Sequence, residues 1–151
     1  MSIAVSPDRT EIVERTPFHA LLVPFPAVAF TFALFTDLAY WQSNGEIQWT
    51  NFSAWLLFAG LVFGGLALVI GLLGLLFRRR RAGRGPVWFR AVGGLAVLVL
   101  ATVNSFVHAG DGWTSVVPWG LTLSAITVVL IVILALVERT RTVRHGVASH
   151  A

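Results

Sequence analysis

Four apolar stretches, separated by short polar segments, make up most of the 151-residue chain. They cover about residues 18–41, 52–77, 87–108 and 116–137. Each is near or above the ~18 residues an α-helix needs to cross a hydrocarbon core. The pattern predicts an all-α fold, an integral membrane four-helix bundle over residues 18–137. Polar tails, 1–17 and 138–151, flank it.

The first stretch holds the features that most need explaining: His19, the doublet Pro24/Pro26, and Asp37. His19 and Asp37 are 18 positions apart, so an unbroken helix puts them on one face. Val23, Pro26, Phe30 and Ala33 lie near the same line. Each proline removes a backbone donor, so the helix kinks here or starts anew near Pro24. Carbonyls freed inside a membrane need protein, water or a ligand as partners. In the second stretch Gly60, Gly64, Ala67, Gly71 and Gly74 form a narrow stripe, and Gly60/Gly64 make a GxxxG pair. Such stripes let helix backbones approach closely in lipid. Packing within the bundle is the favoured use, and a homo-oligomer seam is the alternative. In the third, Ala91, Gly94, Ala101, Ser105 and His108 lie along one side, with Asn104 one turn from His108.

Charge placement sets the topology. All eleven basic residues are arginine, and none falls in segments 42–51 or 109–115. The positive-inside rule therefore predicts both termini and the central loop in the cytoplasm. The chain is expected in a bacterial inner membrane as a multi-pass protein. Five of the six tryptophans lie near the opposite face, consistent with an aromatic belt. The run Arg78–Arg81 anchors the topology and suits anionic lipid headgroups. Charged residues make up 12% of the chain and hydrophobic ones 56%, about half the charge of a soluble domain. No basic stripe with interleaved aromatics exists to bind nucleic acid. The chain has no cysteine, which excludes disulfides, thiolate metal sites and covalent c-type haem. The polar first 17 residues do not have the form of a cleaved signal peptide.

The candidate polar site is Asp37, Asn104 and His108, with Tyr40 and Asp111 within reach. Helices one and three run in the same direction, so Asp37 and His108 share a depth in the outer half. Three uses are open: a structural pair joining two helices, a proton or substrate pathway, or a metal site with a thin ligand set. His19 is the secondary candidate, either donating to a freed carbonyl or serving as a ligand for quinone, haem or a lipid headgroup. It starts its helix where His108 ends another, about 25–30 Å away, which argues against one haem or metal held by both. Haem is the cofactor this leaves open. No nucleophile–base constellation points to an enzyme.

The pattern His19, Leu22, Val23, Phe25, Pro26, then Asp37, His108 and the stretch from Pro118 to Ser124, resembles bacterial four-helix membrane proteins of domain-of-unknown-function family 2231. The resemblance covers residues 18–137 and implies the fold and the membrane location rather than an activity. Similar domains occur with c-type cytochromes or periplasmic dehydrogenases, which implies a link to electron transfer. Family members often have Pro where this chain has Ala20, and a second His where it has Pro24. The second departure removes a ligand and weakens a redox centre. Two functions follow as expectations. The first is a non-enzymatic accessory subunit acting through a membrane or periplasmic protein partner. The second is a redox or transport module built on the outer Asp/His site.

Overall fold

The computed structural model describes residues 22–77, 84–110 and 116–148. They form four α-helices: α1 Pro24–Gln42, α2 Ile47–Phe77, α3 Arg84–Ala109 and α4 Leu121–Ala148. Each helix packs on its neighbours in sequence, and α4 closes the ring against α1. Helices α1 and α3 therefore face each other across the diagonal. His19, Asp111 and Arg78–Arg81 lie outside the described residues.

The helix boundaries have local causes. Helix α1 begins at Pro24, so both prolines occupy its first turn, where an absent N–H breaks no intrahelical bond. It ends where Asn44 and Gly45 adopt positive φ, 58° and 90°. The Ser43 and Gly45 amides donate back to Ala39 and Tyr40, a helix-ending arrangement that glycine favours. Ser43 Oγ then accepts the Glu46 N–H at 3.2 Å. Helix α2 consequently starts at Ile47, five residues ahead of the expected start at 52. Helix α3 starts at Arg84, with Gly85 and Pro86 inside its first turn rather than ahead of it.

Helix four does not begin at Val116 as expected. Residues Val116–Gly120 form a kinked turn with Val117 extended (φ −118°, ψ 124°) and a cis Val117–Pro118 peptide. A residue before proline is pushed out of the helical region, and the regular helix starts only at Leu121. It continues to Ala148, through much of the segment read as a polar tail.

The helix stripes are partly as read. Phe30, Ala33, Asp37 and Tyr40 form the buried face of α1, but Val23 points outward. Gly60 sits against the Phe30 ring, and a Cβ on Gly64 would lie 2.6 Å from Leu98 Cδ2 and 3.3 Å from Pro26 Cβ. This end of the α2 stripe packs within the chain, on α1 and α3. Ala67 is buried and Gly71 half-buried. Gly74 corrects the reading: a Cβ there would meet nothing within 4 Å, because the stripe has turned away from its neighbours. On α3 the close approach is Gly93 against Leu134, while Gly94 faces open space.

The surface is inverted relative to a water-soluble bundle. Trp55, Phe77, Phe106 and Trp119 are more than two-thirds exposed, while Asp37, Ser53 and Asn104 are 0% exposed. An apolar exterior around a polar centre suits lipid as the solvent. Three helical segments, Ile47–Gly74, Trp88–Ala109 and Val116–Thr140, are long and apolar enough to cross a membrane. Helix α1, the expected fourth span, has 19 residues with two prolines and Asp37 and is not among these three.

Candidate functional site

Each helix delivers one or two polar side chains to the end of the bundle that carries the arginine-free segments. Asp37 sits about one and a half turns from the end of α1, and Ser53 less than two turns into α2. Asn104 and His108 lie in the last turns of α3, and Ser124 in the first turn of α4. The α1–α2 turn and the kinked turn Val116–Gly120 lie at this end too, so four chain segments meet in one layer.

The Asp37 carboxylate is its centre. Oδ1 accepts from Ser53 Oγ at 2.5 Å and from His108 Nε2 at 2.9 Å. Oδ2 accepts from Ser124 Oγ at 2.6 Å. Ser124 Oγ in turn accepts from Asn104 Nδ2 at 2.7 Å. His108 Nδ1 lies 2.9 Å from the Asn104 carbonyl oxygen. Both ring nitrogens thus face oxygen acceptors, an arrangement met when both carry protons and the ring is an imidazolium. With the ring as an imidazolium this is a buried ion pair, and two serine hydroxyls give the carboxylate the further hydrogen bonds that burial of charge requires.

Gly120 makes room for the ring. A Cβ at that position would lie 2.8 Å from His108 Cε1. The kinked turn thereby brings the α4 entry onto the histidine. Thr36 Oγ1 joins the edge of the network, 2.7 Å from Ser53 Oγ. Tyr40, one turn beyond Asp37, is buried with its hydroxyl side against Gly45.

The structure therefore brings Asp37, Asn104 and His108 together. Ser53, Ser124, Thr36 and Gly120 are the members that polarity alone did not single out. Ser124 and Gly120 lie in the stretch that carried the family resemblance, the signal that could have found them. Ser53 stood one residue inside an expected helix start at 52, where a lone hydroxyl carries no signal.

The family profile described as "Predicted membrane protein (DUF2231)" matches residues 15–151. The chain belongs to this family. No curated protein and no solved structure matches the DUF2231 chain significantly. Among the described residues there is no group of three or more His, Cys, Asp or Glu placed to hold an ion. Both ring nitrogens of His108 are engaged, so neither is free for a haem iron.

Proposed function

We propose that this DUF2231 protein is a non-enzymatic four-helix membrane subunit whose polar centre fixes the arrangement of its helices. The observation that carries the reading is that Asp37 on α1 takes one donor from each of the other three helices, Ser53, His108 and Ser124. One carboxylate thereby fixes four helices relative to one another. The apolar exterior is then free to meet lipid and a membrane or periplasmic partner. Orientation follows from the arginines: termini and central loop in the cytoplasm of a bacterial inner membrane, the Asp37 layer near the outer face.

A fixed scaffold needs the shape of the centre rather than its proton chemistry. Buried ion pairs can often be replaced by well-packed apolar residues without loss of stability. The test is a deletion strain complemented with Asp37→Leu/His108→Leu. A subunit of the proposed kind restores the phenotype when the double variant accumulates in folded form. Folded protein that fails to complement would favour the second reading, a redox or transport module working through the acid–base pair. The observation on that side is the adjoining buried Asn104 Oδ1, which has no partner among the described residues.

A further inference from the structure

Two buried side-chain atoms have no hydrogen-bond partner among the described residues: Asn104 Oδ1, in the network around the pair, and Thr50 Oγ1 on α2. Asn104 is 0% exposed and Thr50 is 7% exposed. Each adjoins a group already engaged with the pair. Asn104 donates to Ser124 through Nδ2. Thr50 lies one turn before Ser53 on α2, toward the connection from α1.

The Asn104 amide cannot be turned round to satisfy itself. Ser124 spends its single proton on Asp37 Oδ2 and can only accept from Asn104, so the amide must present its NH₂ there. Oδ1 is an acceptor only, so its missing partner is a donor. The threonine hydroxyl can donate or accept. A polar site enclosed this deeply is the setting in which proteins hold ordered water.

We propose that the bundle binds ordered water at Asn104 Oδ1 and at Thr50 Oγ1, and that the water at Asn104 makes the Asp37–His108 pair a proton-exchanging site. Exchange swaps a ring N–H proton for one from water and leaves the charge of the pair unchanged. The hydration is independent of the scaffold reading, since a wet pair and a dry pair hold the helices alike.

Thr50→Val discriminates, because it keeps the side-chain shape and removes only the hydroxyl. Removing an unmatched buried hydroxyl stabilises a protein, whereas removing a hydrated one breaks hydrogen bonds. The full-length protein in phosphatidylcholine vesicles is expected to show a lower Tm for Thr50→Val; a Tm that stays or rises would overturn hydration at Thr50. Solid-state NMR of nitrogen-15-histidine protein in the same vesicles reads the pair itself. His108 is assigned by the signals lost in His108→Gln. Magnetisation transfer from water to the His108 ring is expected in the natural protein, and weaker transfer in Asn104→Leu. No transfer in the natural protein would overturn the proposal, even if Asn104→Leu fails to fold.

Discussion

At the residue scale the chemistry of the centre depends on which polar side chains stand out in apolar sequence. Asp37, Asn104 and His108 were legible because amide and ionisable groups are costly in a membrane helix and face protein or water. Ser53, Ser124 and Thr36 were not, because a hydroxyl can satisfy itself on its own helix and leaves no pattern. Thr127, bonded to the Leu123 carbonyl at 2.8 Å, does so, whereas Ser124 reaches across to Asp37. Gly120 was legible only as part of a motif, since its use depends on where the His108 ring comes to rest. Gly120→Ala should destabilise the protein by about 1–3 kcal/mol, the usual cost of forcing extra volume into a packed site. Gly94→Ala, in open space on α3, should be neutral or slightly stabilising because alanine is the better helix former. Thermal unfolding in detergent measures both, and an equal response at the two glycines would remove the close-approach explanation.

At the element scale the helices were legible from apolar run length, but their ends were not. Helix α2 gains five residues because Ser43, Asn44 and Gly45 make the turn tight, which no hydropathy pattern encodes. The start of α4 slips to Leu121 because Pro118 dictates the backbone ahead of it. The small-residue stripe on α2 was readable as a stripe, but not where it stops meeting its neighbours. Gly64 faces Leu98 and Pro26, while Gly65 faces open space. Gly64→Leu should therefore sharply reduce the yield of folded protein in detergent, since close packing drives helix association in lipid. Gly65→Leu should leave it largely intact. Size-exclusion profiles after purification report the yields, and matching losses would contradict a one-sided contact.

At the scale of the whole molecule, the bundle places its ionisable pair near one end and the described arginines toward the other. At the arginine-bearing end Arg90 Nε meets Glu138 Oε1, joining α3 to α4. That pair is exposed, so its contribution is small. The orientation predicts that a reporter working only in the cytoplasm is active after Arg84 and at Ala151, and silent after Gly45 and Gly112; the reverse pattern would invert the protein. The central claim is narrower: Asp37 and His108, on diagonal helices, hold the four helices together. A double-mutant cycle on unfolding in detergent micelles tests it most directly, because only interacting residues give a coupling energy. Asp37→Ala and His108→Ala should each cost on the order of 3–5 kcal/mol by leaving a buried charge unpaired. The double variant should lose much less than the sum of the two. Strict additivity would contradict the account, because it would mean that the carboxylate and the imidazole do not interact.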